Sequence, residues 1–410
     1  MSICANAHLS IMKYVVIIID GAADLPIKEK GGRTCLELAA TPNLDKMAAE
    51  GFSGMVRTVP EGMEPSSACA CMSVLGYDPT VYYKGRASIE AASMGIPVGP
   101  DEVVFRCNLV TITNEKMQDY SAGHITSAES AELIKALNQK LGDENIKFYP
   151  GVGYRHILKL RGHKESLKAV CTPPHDIPGR KVKEYLPRGT GSEILLDLMM
   201  RSKAVLKDHP VNIARHRRGL LPATNIWLFW GSGKIPRVPA FKKAYGCRAA
   251  MTSGVDLLRG LAKMAGMEIL EIKGVTDGQS SDNVAQIAGA LEALKKNDLV
   301  IVHIEAPDEA GHSGSIEEKV KAIEKIDKEV VGRIRRYKGD LRVLIMPDHP
   351  TPITVRTHIA EPVPFIIWGK GVKANGAKRF TEAEAAKTGV FIGEGYKIMG
   401  KLIGEFEPIH

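Results

Sequence analysis

Three things are missing from this 410-residue chain, and each absence excludes a class of protein. No run approaches the roughly 18 consecutive apolar residues that a membrane helix requires, so no span is predicted. No disulfide framework can be read. The cysteines number seven, an odd count, at irregular positions 4, 35, 69, 71, 107, 171 and 247 of a long chain. Such usage suits the cytoplasm. Cys69 and Cys71 form a Cys-x-Cys with no second close pair to complete a zinc site, and they read as small buried packing residues. No basic segment precedes the apolar run Val15–Ile19, which is therefore a buried strand and not a signal peptide. Met12-Lys13 looks like an alternative start, which makes residues 1–11 a loose extension. There is no internal repeat and no low-complexity tract.

What is present is ordinary globular composition: 44% hydrophobic and 25% charged residues, enough for a sizeable core. The length suggests one large domain or two. The net charge of +8 is uneven. Residues 201–263 hold thirteen Lys or Arg against Asp208 and Asp256, a local excess of eleven that leaves the remainder slightly acidic. This block suits an anionic partner. There is little aromatic interleaving beyond Trp227, Phe229 and Trp230, and no nucleic-acid module is recognisable. A phosphorylated small substrate accounts for the charge more simply than nucleic acid does, and a solvated basic face is the plain alternative.

Four β-branched runs read as strands buried on both faces: Val15–Ile19, Leu299–Ile304, Arg342–Met346 and Val363–Ile367. Helices lie between them. Ile316, Val320, Ile323, Ile326, Val330 and Ile334 recur at helical spacing, and Ala285–Leu294 is another helix. Alternating elements imply an α/β fold with a mostly parallel sheet between helices. Residues 86–185 hold shorter β-like pieces and the helix Ala128–Leu141, and they read as a smaller α+β insertion. The core then comprises 12–85 and 186–410, resuming with helix Ser192–Leu206 and the buried strand in NIWLFWGSG.

Sites in parallel sheets gather where strands end. Val15–Ile19 runs into Asp20. Leu299–Ile304 leads to Asp308 and His312, four apart and so on one face of a helical turn. Arg342–Met346 leads to Asp348 and His349, and His358 follows in the next turn. Any one of these alone would pass for a cap or a surface histidine. Together they make six oxygen and nitrogen ligands, too many for one open catalytic ion and suited to two. Mixed O/N donors accept Mn²⁺, Zn²⁺, Co²⁺ or Mg²⁺, and two-ion sites serve phosphoryl transfer. A nucleophile is offered by Ser66-Ser67 after Pro65, at a helix start where phosphate is welcome. On these grounds either serine could equally be the N-cap.

The stretches IIIDGAAD, PSSACACMSVLGYDP, the YYKGRASIEAA of residues 82–92, HIEAPDEAGHSG and MPDHPTPI…RTH resemble the cofactor-independent phosphoglycerate mutases, archaeal type, of the alkaline phosphatase superfamily. The resemblance runs over nearly the whole chain from Met12. It implies an alkaline-phosphatase-like core holding two divalent ions, manganese first among them, with the insertion acting as a substrate-binding lid. Ser67 then matches the phosphorylated nucleophile. Asp20, Ser67, Asp348 and His349 match one metal site; Asp308, His312 and His358 match the other. His124, Arg155 and Asp176 match substrate positions in the insertion. Charge and loop position add Arg180, Lys234 and Arg237. The implied reaction interconverts 3-phosphoglycerate and 2-phosphoglycerate through a phosphoserine, without 2,3-bisphosphoglycerate, and with neither nucleic acid nor membrane as partner. The oligomeric state is open. Ala68 departs from the family, in which an acid often follows the serine.

Two other classes fit parts of this pattern. A metal-dependent phosphomonoesterase or phosphodiesterase of the same superfamily would keep the core and change the lid. A non-catalytic anion or nucleic-acid binder would use residues 201–263 and has no need of ligands at strand ends.

Overall fold

The computed structural model describes residues 12–234 and 237–404, so the extension at 1–11, with Cys4, lies outside the described residues. The strands in chain order are β1 (Lys13–Ile19), β2 (Phe52–Val56), β3 (Glu102–Thr113), β4 (Lys116–Asp119), β5 (Ile146–Tyr149), β6 (Arg155–Arg161) and β7 (Asn225–Ser232). They continue as β8 (Ala249–Thr252), β9 (Glu268–Ile269), β10 (Leu299–Ile304), β11 (Leu341–Met346), β12 (Val363–Gly369) and β13 (Phe391–Ile392). The chain divides into two units, Met1–Tyr83 with Arg237–His410, and Lys84–Pro236.

The first unit is built on an eight-stranded sheet in the order β13-β2-β12-β11-β1-β10-β8-β9. β1 lies between β10 and β11 and is parallel to both. The register pairs Ile19 with Ile304 and Ile18 with Met346, so all three strands end at nearly the same level. That alignment brings Asp20, the segment after Ile304 and the segment after Met346 to one edge. The apolar runs are continuous because both faces are covered. Val15, Ile17 and Ile19 pack with Leu44, Ile287 and Ile323 from the helices Pro42–Glu50, Asn283–Ala293 and Ile316–Ile326. Val16 and Ile18 on the other face are equally buried. β12 runs antiparallel to β11. No helix lies between them to carry the chain back across the sheet, as a parallel return would need.

The second unit is an antiparallel sheet in the order β4-β3-β6-β5, with β7 paired to β3. The helices Ser127–Leu141 and Glu193–Lys207 pack in its core, where Leu133, Leu137, Leu195 and Leu198 meet Trp227 and Leu228. This corrects the sequence reading, which ended the insertion at 185 and gave helix Ser192–Leu206 and NIWLFWGSG to the phosphatase-like core. The strand is buried, as expected, but it pairs with β3. A short apolar run shows that a strand is covered, not which sheet it joins. No helix among the described residues is long and apolar enough to cross a membrane.

Leu198→Ala removes a fully buried side chain and should cost about 2–5 kcal/mol. Hydrogen exchange should then quicken in β3 and β7 and stay unchanged in β1 and β10. Quickening in the central sheet instead would return residues 186–236 to the first unit.

Candidate active site

The site grows from the strand ends of the first unit. Asp20 follows β1 and is almost fully buried. Its Oδ2 accepts from His303 Nε2 at 2.8 Å, and His303 Nδ1 lies 3.0 Å from the Ser253 hydroxyl. Its Oδ1 is buried and has no hydrogen-bond partner. Asp348 follows β11 and is fully buried. Its Oδ1 accepts from the Gly21 and His349 amides at 3.2 and 2.9 Å, and its Oδ2 accepts from the Cys71 thiol at 3.2 Å. The Nε2 of His349 faces three oxygens at once: Ser67 Oγ at 3.1 Å, Asp348 Oδ2 at 3.3 Å and Asp20 Oδ1 at 3.6 Å. One ring proton cannot serve all three.

A second group adjoins it. Asp308 sits on the helix Ala306–Ser313, with His312 one turn on. The His312 Nδ1–H donates to the Arg356 carbonyl at 3.0 Å, since a carbonyl can only accept. In the neutral ring this leaves Nε2 unprotonated, 3.2 Å from Asp308 Oδ2 and 3.0 Å from His358 Nε2. His358 Nε2 is 3.4 Å from Asp308 Oδ1, and its ring lies against that of His349 with centroids 4.0 Å apart. Two sets of potential metal-ligand atoms follow: Asp20, Asp348 and His349, and Asp308, His349 and His358. His349 belongs to both, which the sequence grouping did not anticipate; that grouping gave it to the first set alone.

The electrostatics suit cations. Burial, with the charges of Asp348 and Asp308, pushes the Asp20 carboxyl well above the usual carboxylate range. Burial also raises Asp348, but His349 and His303 outweigh it and hold the group low. Burial brings His349 and His303 down to about 4, so both rings are neutral at pH 7. Neutral imidazoles, crowded buried carboxylates and an orphaned Asp20 oxygen are what divalent ions would satisfy.

The opening of helix Ser67–Val74 separates two roles that the sequence left open. Ser66 is the N-cap, with its hydroxyl accepting from the Cys69 amide at 3.3 Å. Ser67 is the first helical residue, nearly buried, with its hydroxyl on His349. Ala68 is fully buried. Cys69 and Cys71 are buried thiols, burial raising Cys69 to about 12 and Cys71 well above its ordinary value. Cys71 is nevertheless more than packing, because its Sγ–H serves Asp348.

Three residues of the site escaped the sequence reading. His303 lies inside β10, where the apolar run conceals it. Thr351 donates its hydroxyl to Asp308. Lys319, fully buried, donates to Asp24 Oδ2 at 2.9 Å, to the Ala23 carbonyl at 3.0 Å and to the Thr351 carbonyl at 2.9 Å. It ties the loop after β1 to the loop after β11.

His124, Arg155, Asp176, Arg180 and Lys234 lie in the second unit, and Arg237 belongs to the first. Within the second unit Arg155 stands over Tyr154, and Tyr154 meets Tyr120. Tyr120 in turn meets His175, which packs on Trp230 at 5.4 Å between centroids. The Arg86 guanidinium covers Trp230 at 4.1 Å and pairs with Glu90 at 2.9 Å. Asp176 is exposed beside His175, 3.8 Å away, and exposed Arg180 donates to the Tyr185 hydroxyl at 3.1 Å. Lys234 and Arg237 are exposed, on either side of two residues outside the described ones. Arg86 lies in the stretch YYKGRASIEAA, Trp230 among the aromatics of the basic block and His175 beside Asp176, but the sequence assigned none of them to a site, because their stacking joins segments far apart in the chain. The basic block 201–263 is partly neutralised. It is divided between the units, and Arg201, Arg215, Arg248 and Arg259 pair with Asp197, Glu129, Asp298 and Glu271, acids outside the block.

Fold and site together define an α/β protein whose central parallel strands end in a buried carboxylate–imidazole centre beside a helix-start serine. Residues 48–212 match the family model described as 2,3-bisphosphoglycerate-independent phosphoglycerate mutase. The chain is similar to the protein of that name from Methanothrix thermoacetophila, 48% identical over 96% of this chain and 100% of the relative. It is also similar to a probable 2,3-bisphosphoglycerate-independent phosphoglycerate mutase from Geobacter sulfurreducens, 44% identical over 96% of this chain and 100% of the relative. Among solved structures, the PH0037 protein of Pyrococcus horikoshii superposes with a TM-score of 0.79 at 29% identity, covering 98% of this chain and 100% of that one. The cofactor-independent phosphoglycerate mutase of Thermoplasma acidophilum does so at 0.61 and 25%, covering 95% and 98%. The chain belongs to the 2,3-bisphosphoglycerate-independent phosphoglycerate mutase family.

Lys319→Met leaves Asp24 buried without its cation and should cost about 3–5 kcal/mol in chemical denaturation. The charge-free pair Lys319→Met with Asp24→Leu should recover most of that loss. Equal stability of the single variant and the parent would remove the pair from its structural role.

Proposed function

We propose that the protein is an isomerase that interconverts 3-phosphoglycerate and 2-phosphoglycerate through a phosphoserine on Ser67. The observation that carries this reading is the Ser67 hydroxyl, 3.1 Å from His349 Nε2 at the edge of the carboxylate–imidazole centre. Two divalent ions fit that centre. Asp20, Asp348 and His349, with Ser67 beside them, would hold one; Asp308, His312 and His358 would hold the other, and His349 borders both. Manganese is the first choice, and magnesium, cobalt or zinc suit the same donors. When bound, the ions supply positive charge that acidifies a hydroxyl and offsets charge on phosphoryl oxygens.

The chain's own groups then do the following. Ser67 Oγ loses its proton and attacks phosphorus, forming its own P–O bond as the bond to the glycerate oxygen breaks. Its place at a helix start puts the arriving phosphate in the positive end of the helix field. Glycerate takes up a proton at the released oxygen. Its other hydroxyl then gives up a proton and attacks the phosphoserine, which restores Ser67. No proton is gained or lost over the cycle. Loss of glycerate before the second step would expose phosphoserine to water and yield a phosphatase, so retention of glycerate decides the outcome.

We assign that retention to the second unit. His124, Arg155, Asp176 and Arg180 are its candidates, and Arg86 and His175 join them. A guanidinium suits the glycerate carboxylate because it can bind both oxygens. Lys234 and Arg237 keep only their charge as support. The described cysteines Cys35, Cys69, Cys71, Cys107, Cys171 and Cys247 are free, which supports a reducing, cytoplasmic setting.

Ser67→Ala should abolish 3-phosphoglycerate conversion in a coupled assay without added 2,3-bisphosphoglycerate, while folding and binding of divalent ions persist. Ser66→Ala should remain active and lose about 0.5–2 kcal/mol of stability through its cap. An active Ser67→Ala with a dead Ser66→Ala would reverse the assignment. Chelation with EDTA should silence the enzyme and Mn²⁺ or Co²⁺ should restore it; full activity in the metal-free protein would refute the two-ion reading. Steady phosphate release with no 2-phosphoglycerate formed would instead mark a phosphomonoesterase.

A further inference from the structure

In the second unit, three successive residues sit in the left-handed region: Ala122 (φ 50°), Gly123 (φ 63°) and His124 (φ 48°). Residues other than glycine visit this region mostly singly, because Cβ crowds the carbonyl that follows. A left-handed turn that includes Ala and His persists only where its surroundings hold it, and such segments concentrate at functional sites.

Arg215 is what holds it. This residue of helix Pro210–Arg217 is only 1% exposed, although it lies within the basic stretch of the sequence. Its Nη2 donates to the Ala122 and Gly123 carbonyls at 2.8 and 3.1 Å. Its Nε donates to the Leu221 carbonyl at 2.9 Å, and its Nη1 to Glu129 Oε2 at 2.6 Å. Glu129 in turn closes the capping box with Thr126 at the start of helix Ser127–Leu141. On the other side of the turn, the Ser121 hydroxyl accepts from the His124 amide at 3.1 Å. Along this left-handed path two successive carbonyls point at one nitrogen. Four acceptors spread in a plane require a guanidinium, because an ammonium has three donors and no fork. His124 itself is left exposed, its backbone fixed and its ring free to meet a ligand.

We propose that Arg215 is a positioning residue, which clamps this left-handed turn so that His124 presents its imidazole to the substrate. The proposal rests on the reading of His124 as a substrate contact. It also explains why a charge in the basic block is buried: its partners are carbonyls and Glu129, not a ligand.

The test compares Arg215→Lys, His124→Asn and the double variant in the full-length protein, with circular dichroism to confirm folding. Arg215→Met serves as a second clamp variant should the lysine form be unstable. Arg215→Lys should quicken hydrogen exchange at residues 122–125 and lower kcat/KM for 3-phosphoglycerate about tenfold, mainly through KM. On a His124→Asn background the same change should cost less than about twofold, since the clamp acts through that ring. Unchanged exchange at 122–125 would overturn the clamp. A damaging His124→Asn with a full further loss from Arg215→Lys would overturn the positioning role alone. A His124→Asn variant with unchanged kcat/KM would overturn the substrate role of His124, and the proposal with it.

Discussion

The buried pair of Lys319 and Asp24 is the constraint on which the candidate active site depends. Register in β1, β10 and β11 brings three strand ends to one level, but it does not fix the loops beyond them. Lys319 does so from the helix Ile316–Ile326, reaching one carboxylate and two carbonyls in two loops. Asp24 Oδ1 accepts from the Leu25 and Ile353 amides, so the pair has few unmet donors or acceptors. Thr351 extends the tie to Asp308 through its hydroxyl. Close approach at Gly21 completes the arrangement. Its φ of 62° and its distance from Asp308 leave no room for a Cβ, which would lie 2.5 Å from a carboxylate oxygen. A buried ion pair adds little net stability compared with apolar packing of similar volume. What it supplies here is the geometry of loops that carry like charges.

The candidate ligand residues were legible because the chemistry of strand ends is local. A β-branched run followed by Asp or Asp-His needs no knowledge of distant partners, and Asp20, Asp348 and His349 do converge. Asp308 and His312 were legible from helical spacing. The residues that support them were not. Lys319 lies in an amphipathic helix, where a lysine reads as solvent-facing, and His303 lies in an apolar strand, where it reads as a satisfied core residue. Both act through partners far away in sequence: Asp24 is 295 positions from Lys319 and Asp20 is 283 from His303. The same distance blindness misread the end of the insertion, since β7 shows its burial but not its pairing with β3. It also made 201–263 look like one basic surface, whereas the neutralising acids come from elsewhere in the chain.

The helix start at Ser66-Ser67 shows how a structural demand and a chemical one can share a short segment. A helix needs its first amides satisfied, and Ser66 meets that need. Ser67 is thereby released from capping, and its hydroxyl reaches His349. Small residues follow because the helix is buried on every side. Ala68 stands in a fully enclosed position and offers no polar group. The polar contact to Ser67 comes instead from His349, and the thiol of Cys71 supports Asp348 one helical turn further on.

The charge balance of the two units differs in a way that suits their proposed tasks. The first gathers Asp20, Asp308 and Asp348 with neutral or shared imidazoles, a surplus of negative charge that favours cations. The second brings Arg86 and Arg106 together on Glu90, its one buried carboxylate among the described residues. Arg86 and Arg106 both pair with Glu90, and Arg106 senses Arg86 and Arg155 as like charges. Two guanidinium groups on one carboxylate leave a positive surplus beside the face of Trp230. Burial of Arg106 and Glu90 keeps that surplus from being screened away by salt. Each unit taken by itself therefore favours a partner of a different sign: cations at the strand ends of the first, an anionic group beside the arginines of the second.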